Sequence, residues 1–254
     1  MSEAGASAVD PIHQFHIKVI QPLDLFGVDA SFTNSALFMA LGALAVIVVM
    51  LIGTSGRKII PTRLQTSAEL AYEFAADMVR QTCGEAGMRF FPLVFTLFMF
   101  VLACNLIGLW PYTYEVMAQI IITAGMAFSI IFLSIGYGIY KHGLHFFGLF
   151  KPSGVGPIMS IFIVPIEILS FISRPVSLSV RLFANMLAGH IMLAVFGGFC
   201  VMLLGAGGYA FLAPLPLLGI TLLTAFELLV SVLQAYVFAV LTCVYLNDAL
   251  HPGH

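Results

Sequence analysis

Arg181, His190 and Glu227 are the residues of this sequence best placed to do chemistry, because each interrupts an otherwise apolar run. An ionisable group in hydrocarbon costs several kcal/mol unless it is paired or wet, so each is a functional candidate. After Arg181 no Asp, Glu, Lys or Arg follows until Glu227. Arginine keeps its proton, so Arg181 is not a relay; it is a fixed positive charge that attracts a passing carboxylate and lowers its pKa. His190 and Glu227 change protonation and so are able to line a path.

Helical geometry groups these residues. At about 100° per residue, each step of four from Ser177 to Arg181 to Asn185 turns by about 40°, and Arg174 lies about 20° from Arg181. One stripe is polar and cationic, and His190 falls on the opposite face. Glu227 and Gln234 share a face on a later helix, with Ser231 between them. Plainer roles stand beside these. Arg181 would equally serve as an ion pair with Glu167 or Glu227 that pins two helices, and His190 as a side chain bonded to a backbone carbonyl. Arg174 would serve as an interfacial residue whose long side chain reaches water. Glu167 precedes Arg181 by about 20 Å of helix axis, so those two pair poorly within one helix.

The elements that must hold these residues follow from composition. Of 254 residues, 61% are apolar and only 9% are charged, where a soluble domain is about half apolar and a quarter charged. The chain reads as an all-α integral membrane protein in a lipid bilayer. A soluble enzyme, a nucleic-acid binder and a disordered tail are excluded on the same count. Cys83, Cys104, Cys200 and Cys243 lie far apart, without metal-ligand spacing, and read as buried thiols. Residues 1–31 lack a positive segment followed by an apolar core, so they read as an extracytoplasmic N-terminal segment and not as a cleaved signal.

Residues 32–254 form one membrane domain. A span needs about 20 residues, and apolar stretches at about 32–53, 90–110 and 116–140 supply three, with Pro111 closing the second and Glu115 in a tight loop after it. Glu69, Glu73, Asp77 and Arg80 fall on one face of a segment at 66–85, which is either an amphipathic helix on the membrane surface or a solvated connector. Two longer stretches follow, at 157–204 and 217–247, separated by Gly205, Gly207, Gly208, Pro214 and Pro216. The first would be about 70 Å long as one helix, so it is either broken near Pro165 or Pro175 or strongly tilted.

Orientation follows the basic loops. Arg57, Lys58, Arg63, Arg80 and Arg89 occupy one and Lys141 and Lys151 another. Five crossings put both on the same side, with the N-terminus outside and the C-terminus inside. The tail His251–His254 is too short to weigh in this. There is no phosphate loop, zinc-protease motif or hydrolase motif to give the chain a catalytic site, cofactor or metal. Gly136 and Gly138 read as helix-packing positions, and His142 and His145 as a solvated loop with no adjacent acid.

The run Pro175-Val-Ser-Leu-Ser-Val-Arg-Leu-Phe-Ala-Asn-Met-Leu-Ala-Gly-His190 resembles subunit a of the F-type ATP synthases. The likeness continues at Leu233–Leu246, and more weakly at Asn105–Pro111 and Ile166–Ser170. It implies a proton-translocating stator subunit that packs against a rotating c-subunit ring, beside peripheral-stalk b subunits and the remainder of the synthase. Arg181 matches the family's essential arginine, which separates two aqueous half-channels. Ser177, Asn185, Gln234 and Glu167 match polar positions near that path. The last two helices are then a tilted hairpin facing the ring. His190 and Glu227 exchange places relative to many bacterial members, as in mitochondrial and related ones, which implies shared work in one half-channel. A bacterial inner membrane is the expected location, with the mitochondrial inner membrane as the alternative. A self-contained secondary transporter or ion channel is the competing reading, but no inverted internal repeat supports it.

Overall fold

In the computed structural model, the described residues are 17–22, 24, 25, 28, 29, 31–55, 61–110, 113–143, 146, 148, 157–205 and 207–250. The expectations attached to residues 1–16, Arg57, Lys58, Pro111, His145, Lys151 and His251–His254 lie outside them.

Among the described residues six α-helices make the fold, and its all-helical membrane class agrees with the sequence reading. They are α1 (Asn34–Ser55), α2 (Arg63–Cys83), α3 (Phe91–Gly108), α4 (Ile120–His142), α5 (Pro157–Gly205) and α6 (Pro214–Leu250). Single 3₁₀ segments at Glu85–Phe90, Val116–Ala118 and Gly207–Leu212 lead into α3, α4 and α6. Among the described residues, five stretches are long and apolar enough to cross a membrane, the exception among the helices being α2.

The composition did not announce the short strands before α1. β1 (Val19–Gln21) pairs antiparallel with β4 (Phe32–Thr33), and β2 (Asp24–Leu25) with β3 (Val28–Asp29). Phe32 is therefore in a strand, and α1 starts two residues later, where the Thr33 hydroxyl accepts from the Ala36 N–H at 3.3 Å. An oxygen at that place satisfies one of the open amides of a first helical turn.

Local chemistry also sets the ends of α2 and α4. Thr62 Oγ1 accepts from the Gln65 amide at 3.4 Å at the start of α2. Gly84 and Gly143, with φ of +65° and +59°, end α2 and α4 in a backbone conformation that side chains disfavour. α2 is more than a solvated connector. Its small residues Ala68, Ala75 and Ala76 are buried with Met78 and Val79, while Glu69, Glu73 and Asp77 face outward. Tyr72 meets Phe91 edge-on at 4.7 Å, and Phe74 lies 5.5 Å from Phe98 and 5.7 Å from Tyr236.

α5 runs without a break through Pro165 and Pro175. At 49 residues its axis is about 74 Å, more than twice the hydrocarbon thickness, so length is accommodated without breaking the helix. α6 returns antiparallel to it and forms the centre of the bundle. Side chains of three other helices donate to α6 carbonyls: Cys83 Sγ to Cys243 at 3.1 Å, Asn105 Nδ2 to Ser231 at 3.1 Å and Ser134 Oγ to Tyr245 at 2.6 Å. Lys141 Nζ reaches the Leu250 carbonyl at 3.3 Å, placing a cation where the helix end is partially negative.

Candidate functional site

The core of the site is three side chains from three parts of the chain. Glu115 comes from the α3–α4 connection, His190 from α5 and Glu227 from α6. His190 Nε2 lies 3.3 Å from Glu115 Oε2 and 3.7 Å from Glu227 Oε1. Both carboxylates are almost fully enclosed, at 3% and 4% residue exposure. Two glycines make room for them. A Cβ on Gly108 would run into the Glu115 carboxylate, and one on Gly189 into that of Glu227.

Glu115 is the participant that sequence reading missed. Its place in a tight loop assigns it no role, although it is the sole charged residue between α3 and α4. That isolation was the available signal. Burial pushes its carboxyl above the usual range, and the hydrogen bond and charge of His190 pull it back. A buried acid beside a histidine readily exchanges a proton with it. Among the described residues, no group of His, Cys, Asp and Glu is arranged to hold a metal ion.

Gln234 continues the buried row below Glu227, with Ser231 between them. Ser231 Oγ donates to the Glu227 carbonyl at 2.8 Å, and its own carbonyl accepts from Asn105. The buried side-chain oxygens Asn105 Oδ1 and Gln234 Oε1 have no hydrogen-bond donor among the described residues. An unmet buried acceptor costs about 1–3 kcal/mol, so such a row suits a seam that water enters.

Arg181 stands apart from that cluster. It is exposed on the outer face of α5 with Ser177 and Asn185, and it makes no ion pair among the described residues. The helix-pinning role is therefore filled by another residue: Arg174 lies 4.0 Å from Glu167 Oε1 and 3.7 Å from Asp248 Oδ2. Glu167 belongs to this second cluster and is not beside His190 or Arg181. A cleft of about 290 Å³ lies between α5 and α6. Its lining includes Asn185, Gly189, Phe226 and Glu227, so it joins the outer stripe to the buried cluster.

Known proteins match nearly the whole of this chain. The profile of the family described as ATP synthase A chain matches residues 36–247. A protein of Beijerinckia indica named ATP synthase subunit a is 58% identical over 247 residues, covering 97% of this chain and 98% of its own. Proteins of the same name from Mesorhizobium japonicum and Agrobacterium fabrum are 58% and 54% identical over 252 residues, covering 98% and 97% of this chain and all of their own.

Proposed function

The chain belongs to the ATP synthase A chain family, and from that premise we propose how its residues carry protons. As subunit a, it is a component of the membrane sector of the synthase and serves proton translocation, while the catalytic sites for ATP lie in other subunits.

The path has two parts divided by Arg181. One opens at the α3–α4 connection, where Glu115, His190 and Glu227 pass a proton inward, and the cleft past Asn185 delivers it to the outer face of α5. There a carboxylate of the rotating c-subunit ring takes it up. Arg181, a fixed cation on that same face, forces the returning ring carboxylate to release its proton before passing, because a carboxylate beside a guanidinium favours its charged form. The second part leads from the stripe of Arg181 and Ser177 toward Arg174 and Glu167.

The observation that carries this reading is the cleft connecting Glu227 to Asn185, four residues from Arg181. It leads from the buried acid–base cluster to Asn185, which is exposed on the same stripe of α5 as Arg181. Gln234, whose buried Oε1 has no donor among the described residues, adds a polar neighbour to the path. Peripheral-stalk b subunits are the other membrane partners. The protein sits in a bacterial inner membrane; its C-terminus is inside, since the basic residues Arg80, Arg89 and Lys141 border two loops on one side and Lys141 reaches the Leu250 carbonyl where α6 finishes.

Arg181→Ala in the assembled synthase tests the reading. ATP-driven proton pumping into inverted vesicles is expected to vanish while ATP hydrolysis by the soluble sector persists. Normal pumping by that variant overturns it. A chain purified free of other subunits that moved a solute by itself would instead favour a self-contained transporter.

A further inference from the structure

The ladder that precedes α1 has no core of its own. Among the described residues β1 pairs only with β4 and β2 only with β3, in two separate two-stranded sheets. Pairing of two such short strands is marginal in water, so something outside the ladder must hold it. Ile17, Val19 and Ile20, on and just before β1, are each more than half exposed, and Phe32 of β4 is exposed as well. Exposed apolar side chains gathered in one place point to a surface that meets lipid or protein. The ladder runs into α1 without a break, and Leu37, Leu41 and Leu44 continue the exposed apolar surface there.

The height of the ladder is fixed by α1. The Asn34 N–H donates to the Lys18 carbonyl at 3.0 Å, and the Lys18 N–H donates to Asn34 Oδ1 at 3.1 Å. Asn34 is the first residue of α1, so these two bonds tie the middle of the apolar cluster to the end of a span. α1 has 22 residues, about 33 Å of axis, against about 30 Å of hydrocarbon. Asn34 therefore lies where hydrocarbon gives way to headgroups. Ile17 and Ile20 are one and two residues from Lys18, within about 7 Å of that level at the rise of a strand. Two opposed tendencies keep β1 there. Its apolar side chains favour leaving water. Its outer edge, open in a two-stranded sheet, carries N–H and C=O groups that hydrocarbon cannot satisfy. Headgroups and their water accommodate both, and the long Lys18 side chain suits a layer of phosphates.

We propose that β1 is an interfacial anchor seated in the phospholipid headgroup layer, where it holds the first turn of α1 at a fixed depth. Its apolar side chains resist withdrawal into water and its open edge resists sinking into hydrocarbon. The depth of α1 matters beyond the anchor itself. Phe38, one turn into α1, lies 6.3 Å from Tyr114, the neighbour of Glu115 in sequence.

The test puts the photoprobe p-benzoylphenylalanine in place of Ile20 in the assembled synthase, in native membranes, and irradiates it. Peptides spanning β1 are expected to carry the mass of a phospholipid as their main adduct. A main adduct with another subunit makes the ladder a protein docking site and overturns the proposal. A probe recovered unreacted shows that β1 stands in water and overturns it too. Should the probe at Ile20 prevent assembly, the same probe at Val19 decides by the same outcomes. A second measurement asks whether lipid is what holds the ladder. With Ile17→Asp and Ile20→Asp together, amide hydrogen exchange across residues 17–21 should speed up by about tenfold, as the ladder leaves the membrane and opens. Exchange unchanged from that of the unaltered protein overturns the anchor. Neither measurement depends on proton movement, so either result leaves the role of Arg181 to its own test.

Discussion

α5 and α6 are equally at home in hydrocarbon by composition, yet the bundle uses them in opposite ways. α6 buries Ser231, Gln234, Ala235, Phe238, Ala239, Thr242 and Cys243 in succession, and α2, α3 and α4 all bond to its carbonyls. α5 buries a narrow line, Phe171, Leu178, Leu182 and Met186, and turns Ile161, Phe162, Leu169, Val176 and Val180 outward with Arg181. Lipid is as apolar as a protein core, so hydrophobicity does not choose between them. Small residues do, because Ala, Ser, Thr and Cys let neighbouring backbones approach. α6 is a scaffold and α5 is a working surface.

Substitutions that separate conduction from assembly are the strongest way to break that contrast. His190 on α5 and Glu227 on α6 are expected to lose about 10²-fold in pumping when changed singly to Glu and His. The double exchange should retain more activity than either single change, since the two side chains lie 3.7 Å apart. Equal loss in all three variants would reject their coupling.

Two glycines of α5 give a narrower comparison. Gly189→Ala puts a methyl into the Glu227 carboxylate, whereas a Cβ on Gly197 meets nothing within 4 Å. Pumping should fall roughly tenfold in the first and stay unchanged in the second. Similar rates for the two variants would remove Glu227 placement as the cause.

Assembly gives a smaller contrast. Ala239→Leu overpacks a fully buried site on α6 and should cost about 1–3 kcal/mol, read as a lower amount of subunit in the membrane. Ile161→Leu, on the open face of α5, should leave that amount unaltered. Equal membrane levels in the two would contradict the division of labour.

The smallest effect concerns pH. Burial raises the Glu115 carboxyl above its usual value, so the folded chain holds that proton more tightly than the unfolded one. The sign follows: stability is greatest below the usual carboxylate range and declines as pH rises through the raised value, with His190 offsetting part of the decline. Glu115→Gln has no proton to lose there. Its thermal aggregation temperature in detergent should vary less between about pH 5 and 8 than that of the unaltered subunit; an identical slope would show that Glu115 does not titrate in that window.

Much of the fold could be read in the sequence because lipid imposes a blunt rule. Apolar length marks spans, and a charge inside one stands out. The stripe of Ser177, Arg181 and Asn185, and the opposite facing of His190, follow from helical periodicity alone. The strands before α1 were not legible, since pairs two or three residues long carry too little pattern. Neither was the continuity of α5, because proline only biases the residue before it and neighbouring helices decide whether the helix survives. Glu115 and Asp248 escaped for a related reason: their importance lies in partners 75 and 74 residues away.

By itself, then, the order of residues determined which groups would be costly in a membrane and which of them share a helix face, because both depend on solvent and on a fixed helical repeat. Only the tertiary structure decided the pairings. It set Glu115 and Glu227 against His190, gave Arg174 both Glu167 and Asp248, and left Arg181 on the open face. Apart from Arg174–Glu167 within α5, those contacts join segments distant in sequence, and the two carboxylates beside His190 fit because Gly108 and Gly189 leave them room.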